Sequence, residues 1–432
     1  MSLTRLISAR TVITMSSEPI TDGALVVNDD RIIAIGDKLD LKKQFTDTVE
    51  IDLGDRIIMP ALVNAHTHIA LSDASCVNTG NHFPQWLFDL MAYRVPLTDD
   101  DIRQSAINGL KELYRNGTTT IGDSNPDLIP IKAAALNNFR GVFFFEVFGI
   151  ADTFQFLKIQ KYKRELLKAS RIASKKTRLG ISPHTPYTVT HPVLKFASGY
   201  AKKNNMIVSM HVAESKDELE FLKSNKGLYR KTFAPFTRKK IPPTDLPPLN
   251  YVNSFNLLNS KFICAHGVHL TEDEFFLLAG HGGSLVSCPS SNHNLGAGHL
   301  DIQKPLDCGV NLCIGTDSPA SSDGYDLFHE LRLALKINTE EQITIKPYDA
   351  LKLITVNPAK ALGFETEIGA LENGKSADII ALNPPRNFDF QTDDIYSSIV
   401  SSSNSDDIAL TISSGKICHS KIDALAIESH ID

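Results

Sequence analysis

The chain has 432 residues, 42% of them hydrophobic and 22% charged, with a formal net charge of −6. That length exceeds one ordinary domain and predicts a large core with a smaller accessory unit. The mild acidity excludes a general nucleic-acid binder, which needs a basic balance, and no apolar stretch is long enough to span a bilayer.

Met1 to Thr14 contains no long apolar segment of the secretory kind, so the cytoplasm is the expected location. The first segment predicts short strands at Leu3–Ile7, Thr11–Ile13, Ala24–Val27 and Ile32–Ile35, set off by Asp- and Gly-containing turns. The last segment has the same character, with Asp378–Leu382, Ile408–Ile412 and Lys416–Cys418. Together the two ends predict a small β-sandwich domain, residues 1–56 with 364–432.

Between them, over 57–363, eight apolar runs alternate with helical patterns. The runs are Ile57–Val63, Thr118–Gly122, Val142–Phe148, Arg178–Ser182, Ile207–Met210, Phe262–Ala265, Ser284–Ser287 and Val310–Ile314. Helices are expected at Asp100–Asn116, capped by Asp99 or Asp100, and at His191–Lys203. A third, Thr271–Ala279, opens on a capping box of Thr271 and Glu274. This is the α/β arithmetic of a (β/α)8 TIM barrel. The rival, an open doubly wound sheet, would want a Gly-x-Gly-x-x-Gly turn that the sequence lacks. The basic stretch from Lys158 to Arg178 reads as a solvated helix face. The Pro-rich stretch 223–250 would leave the fifth strand at its carboxyl end, as a lid or a surface insert. Six cysteines (Cys76, Cys264, Cys288, Cys308, Cys313 and Cys418) stand singly, which leaves a zinc ribbon or redox motif unsupported.

The polar residues that end the runs carry the chemistry. His66-Thr67-His68 follows the first run, and two histidines two apart on extended backbone point the same way. The fourth ends in Ser182-Pro183-His184, the fifth in His211-Val212-Ala213-Glu214, the sixth in Ala265-His266 and the eighth in Gly315-Thr316-Asp317-Ser318. A parallel barrel gathers such strand ends at one face. His66, His68 and His211 offer neutral imidazoles and Asp317 an anionic oxygen. Three nitrogens and one oxygen suit one divalent metal ion, zinc as the expected ion and iron or manganese as alternatives. Glu214 is placed for general acid/base work, Asp317 and His266 to orient the hydrolytic water, and His266 also to meet the oxyanion formed on attack. His184, stiffened by Pro183 and Pro186, either orients substrate or pins loops. Trp86, the single tryptophan, either walls the pocket against a flat ring or belongs to the core. Glu146, a charge inside Phe143–Phe148, either reaches the pocket or pairs with a cation.

The order Asn64-Ala65-His66-Thr67-His68, Ser182-Pro183-His184-Thr185-Pro186-Tyr187, His211-Val212-Ala213-Glu214-Ser215, Ala265-His266-Gly267-Val268-His269-Leu270 and Gly315-Thr316-Asp317-Ser318 resembles the amidohydrolase superfamily. The branch is that of the mononuclear aminohydrolases, with adenosine-type nucleoside deaminases, guanine deaminase and triazine hydrolases. The resemblance spans nearly the whole chain. It implies that His66, His68, His211 and Asp317 bind zinc, that Glu214 shuttles protons, that His266 assists the hydrolytic water and that His184 contacts substrate. Trp86 in its setting, Glu146-Val147-Phe148-Gly149 and the Glu-Leu run after His211 resemble aminodeoxyfutalosine deaminases, with S-adenosylhomocysteine and methylthioadenosine deaminases next. The implied activity is hydrolytic release of ammonia from an aminated heteroaromatic ring, foremost the adenine of a small nucleoside. Alternatives are a triazine-type chlorohydrolase, a guanine or pterin aminohydrolase, and a non-catalytic barrel scaffold. The implied partner is a small-molecule substrate, with no nucleic acid and no membrane, and homo-oligomer formation is left open. One departure stands out: where the family commonly shows Arg after Cys288-Pro289, this chain has Ser290-Ser291-Asn292.

Overall fold

The apolar run that starts at Ile57 serves two sheets. Ile57–Pro60 pairs with the terminal strands, and after the single residue Ala61 the chain re-enters extended structure at Leu62–Thr67 as the first barrel strand. The sequence expectation of one strand over Ile57–Val63 is corrected accordingly. Period-2 patterning cannot show a change of partner inside a run that is buried throughout. The computed structural model describes residues 3–77, 80, 83–149, 154–233, 243–337, 345–386 and 388–422.

In chain order the strands are β1 (Thr4–Val12), β2 (Ile20–Asn28), β3 (Arg31–Asp37), β4 (Val49–Asp52), β5 (Ile57–Pro60), β6 (Leu62–Thr67), β7 (Thr118–Asn125), β8 (Arg140–Val147), β9 (Thr177–Pro183), β10 (Val208–Val212), β11 (Phe262–His266), β12 (Ser284–Ser287), β13 (Asn311–Ile314), β14 (Ile379–Leu382), β15 (Ile408–Ser413) and β16 (Lys416–Ser420). The terminal sheet runs β16-β15-β14-β5-β1-β2-β3, with β4 also paired to β1. Its two arms share one apolar core, in which Ile7, Leu25 and Ile51 meet Ile58, Ile379 and Ile412. The strands expected separately at Leu3–Ile7 and Thr11–Ile13 are one, β1, paired along its length with β2.

The second sheet runs β6 to β13 in sequence order with every pairing parallel. A parallel bridge between Thr67 and Asp317 draws β6 towards β13, and the Asp317 N–H donates to the His66 carbonyl at 3.1 Å. This is the (β/α)8 barrel read from the sequence, with helices between the strands. Val63, Ala65, Val142, Phe144, Ile263, Val286 and Cys313 fill the lumen, with Leu362 and Phe364 packed in the same cluster.

The helix expected to be capped by Asp99 or Asp100 spans Asp99–Arg115 and is capped by Thr98. The Thr98 hydroxyl accepts from the Asp101 N–H, and the Asp101 carboxylate accepts from the Thr98 N–H at 2.8 Å. That reciprocal box satisfies two otherwise orphaned donors, which a lone aspartate cap would not do. The Thr271–Glu274 box forms as read. A buried Arg140 ties barrel to terminal sheet, donating to Asp378 at 2.6 Å, Ser376 at 2.9 Å and Ser414 at 3.0 Å. No helix among the described residues is long and apolar enough to cross a membrane.

Candidate active site

His66 is the last but one residue of β6, and His68 follows the strand directly. Close approach of β13 is needed here. A Cβ on Gly315 would meet Val286 at 2.8 Å and the His66 Cβ at 3.1 Å. Asn64 and Thr316 lock the seam, the Asn64 side-chain amide donating to the Thr316 hydroxyl at 2.7 Å.

The imidazoles are oriented by backbone carbonyls. His68 Nδ1 lies 2.7 Å from the Ser124 carbonyl and His211 Nδ1 lies 3.0 Å from that of His184. Each carbonyl fixes the proton on Nδ1 and leaves Nε2 as a free lone pair. The two Nε2 atoms face each other at 3.3 Å. His66 Nε2 is buried with no hydrogen-bond partner among the described residues. Asp317 Oδ1 lies 3.5 Å from His68 Nε2, while its Oδ2 accepts from the hydroxyls of Ser291 and Ser321, each at 2.8 Å. The ligand atoms of His66, His68 and Asp317 all lie within 4.8 Å of one another, as do those of His66, His211 and His266, and those of His68, Glu146 and His211. These overlapping groups of nitrogen and oxygen ligand atoms, one of them an orphaned buried nitrogen, fit a divalent cation.

The electrostatics agree for His66, His211 and Asp317 and run the other way at His68. Burial pushes His66 and His211 well below the usual histidine range, which keeps them neutral. Burial also opposes charge on His68, but the Asp317, Glu146 and Asp123 carboxylates together raise it. Burial would raise Asp317, and the surrounding imidazoles outweigh it and hold the carboxyl below its ordinary value.

Glu214 is buried two residues past β10, after Ala213, whose φ of +54° is left-handed. His266 (φ +67°) and Asp317 (φ +61°) share that conformation, uncommon for residues with a Cβ. Such strain gathers where a side chain must be aimed against local preference. Burial, then Asp317 and Glu218, push the Glu214 carboxyl well above its ordinary value, which favours its protonated form. Its Oε1 lies 3.5 Å from His266 Nε2. His266 Nδ1 meets the Asn292 side-chain oxygen at 2.9 Å, so Nε2 is the free lone pair.

His184 packs against His211 and Phe148, its ring centroid 5.0 Å from the first and 4.5 Å from the second. Burial lowers its pKa to about 3, leaving a neutral ring. Trp86 is buried with Phe83, Tyr187 and Tyr229, and its indole N–H donates to the Ala320 carbonyl at 3.0 Å. Glu146 ends the inward face of β8, buried, with burial raising it to about 7. Of the Pro-rich stretch 223–250, residues 234–242 lie outside the described residues. Its first part forms the helix Gly227–Phe233, and Tyr229 there is fully buried against Tyr187 and Phe221. A cleft of about 690 Å³ is lined by Phe83, Ser215, Lys216 and His293.

The sequence reading missed the residues that hold these groups. Glu218 accepts the N–H groups of Ala213 and Glu214, and Ser215-x-x-Glu218 is a capping-box pattern that could have flagged it. Asp123 accepts from Thr67 and from the Ile69 N–H at 2.7 Å. Ser290-Ser291-Asn292, noticed only as a departure, supplies a partner to Glu330, Asp317 and His266 in turn.

A barrel with a buried histidine–carboxylate centre at its carboxyl-terminal rim defines the class of protein. The chain belongs to the Amidohydrolase family, whose model matches residues 57–418. It is 32% identical over 342 residues to a 5-methylthioadenosine/S-adenosylhomocysteine deaminase of Pyrococcus furiosus, covering 77% of this chain and 76% of that protein. A protein of the same name from Moorella thermoacetica is 30% identical over 420 residues, covering 95% and 93%. The fold is that of a zinc-bound adenosine deaminase from Xanthomonas campestris, with TM-score 0.83 and 22% identity over 99% of this chain and 96% of that one.

Proposed function

We propose that this protein is a metal-dependent hydrolytic deaminase of the adenine ring in a small nucleoside, acting on a carbon–nitrogen bond and releasing ammonia. The observation that carries the reading is the gathering of His66, His68, His211 and Asp317 in one buried cluster at the strand ends, with the buried Glu214 carboxyl on the segment after β10. Kinship to two deaminases of methylthioadenosine and S-adenosylhomocysteine supports the substrate class.

In this reading His66, His68, His211 and Asp317 hold the ion, zinc by its donor set, with iron or manganese as the other candidates. When bound, the ion supplies a Lewis acid that brings the pKa of water towards neutrality. Glu214 delivers its proton to the ring nitrogen next to the amino-bearing carbon, which makes that carbon electrophilic. His266 Nε2, with its lone pair facing Glu214, accepts from the attacking water and steers it. Asp317, with Oδ2 fixed by two serines, keeps Oδ1 directed inward. Glu214, now a carboxylate, takes the hydroxyl proton of the adduct and passes it to the amino group, which leaves as ammonia while the ring carbon becomes a carbonyl, and His266 returns the water's proton to Glu214. His184, a neutral ring, Trp86 and Glu146 are the proposed substrate contacts. Six unpaired cysteines among the described residues support work in the reducing cytoplasm.

The test is an ammonia-release screen with zinc supplied, over methylthioadenosine, S-adenosylhomocysteine, aminodeoxyfutalosine, adenosine, guanine and pterin, with chlorotriazine scored for chloride. Ammonia from adenine nucleosides is expected. Chloride alone, or no turnover by metal-loaded protein, overturns the proposal.

A further inference from the structure

We propose that Glu146 is the group by which the pocket recognises an amino substituent on the carbon under attack, a role that deepens the deaminase reading and rests on it.

The alternation of β8 aims this side chain. Val142 and Phe144 lie in the lumen cluster, while Phe143, Phe145 and Val147 pack outward against the helices. Glu146 follows Phe144 on the inward face, at the carboxyl end of its strand. It is 4% exposed, and a carboxylate oxygen lies within 4.8 Å of ring nitrogens of both His68 and His211. Its Oε1 has no hydrogen-bond partner among the described residues. A buried carboxylate oxygen without a donor is costly, so the missing donor comes from whatever fills the pocket.

Position limits what that donor is. So near His68 and His211, Glu146 meets groups attached at the reacting centre and not a sugar further out. At its reactive edge adenine presents a hydrogen-bond acceptor, the ring nitrogen, beside a donor, the amino N–H. Glu214 on the segment after β10 is the proton donor to the ring nitrogen. Glu146, two strands away around the barrel, is the matching acceptor for the amine. The pair reads acceptor and donor side by side. A chloro or alkoxy substituent offers Glu146 nothing. The product carries a carbonyl oxygen in the same place, which a carboxylate repels, and product release is favoured.

The test compares two substrates that differ only at that substituent, an accepted adenine nucleoside and its 6-methoxypurine counterpart, which loses methanol and has no N–H. Glu146→Leu should lower kcat/KM for the amino substrate about 10–100-fold, the range of a lost charge-assisted hydrogen bond. The methoxy substrate should stay within about threefold, since it makes no such bond in either protein. Glu146→Gln, which keeps the shape and a neutral acceptor, should fall between and carries the test if the Leu variant does not fold. Metal content is measured alongside. Equal losses on both substrates, or no loss on the amino substrate, overturn the role of Glu146 while leaving the deaminase reading intact. A wild-type protein that releases no ammonia from adenine nucleosides overturns both.

Discussion

Glu218 holds Glu214 by the backbone: its two carboxylate oxygens accept the N–H groups of Glu214 and of the left-handed Ala213 before it, each at 2.9 Å. Glu218→Ala orphans both donors in a buried turn. The expected cost is about 1–3 kcal/mol for each. Turnover should fall on the order of 10²-fold, as misplacement of a proton-transfer group does. Urea denaturation and steady-state rates check this together, with retained metal showing that the defect is in Glu214.

Glu214 itself is not among the proposed metal ligands. Glu214→Gln should bind the ion as the wild type does and lose roughly 10²–10⁴ in rate. Metal analysis and initial rates on the same preparation decide it. Wild-type turnover by this variant would remove Glu214 as the proton carrier.

Ser291 and Ser321 both donate to Asp317 Oδ2. Replacing both by Ala frees that oxygen and removes the bond from Ser291 that helps hold the carboxyl low. Metal affinity should drop about 10–100-fold, as for other partners of ligand residues. Chelator competition measures it, and the loss should grow as pH falls and protons compete for the carboxylate.

Glu330 gives a pH dependence of stability that is separable from catalysis. Burial raises its carboxyl from 4.5 to about 8, against the hydrogen bonds from Ser290 that favour the ion. The folded state therefore binds this proton more tightly than the unfolded chain. Its contribution is complete below pH 4.5 and is lost as pH rises through about 8. Glu330→Gln should flatten the fall by up to about 1.4 kcal/mol per pH unit within that window. Urea denaturation of metal-free protein at several pH values is the measurement, and an unchanged slope would show that Glu330 does not titrate there.

What the sequence disclosed follows from how each residue acts. His66, His68, His211, Glu214, His266 and Asp317 could be read because polar groups that end apolar strands have few structural reasons to be there. The barrel could be read because eight such runs recur with helical patterns between them. Asn292 was opaque because it works through a hydrogen bond to a ring whose place is fixed only after folding, and the Ser215-x-x-Glu218 pattern does not show that Glu218 also holds the backbone of Glu214. The division of the run at Ala61 was opaque for another reason: both halves are buried, so both look alike.

That division has a practical side. Only Ala61 separates a strand clamped between β1 and β14 from the strand that presents His66. Any gene fragment that begins the barrel at residue 57 carries off β5 without either neighbour, leaving a sticky apolar edge one residue from the strand that presents His66. Minimised versions of this enzyme should therefore be sought by shortening loops, with both ends of the chain kept.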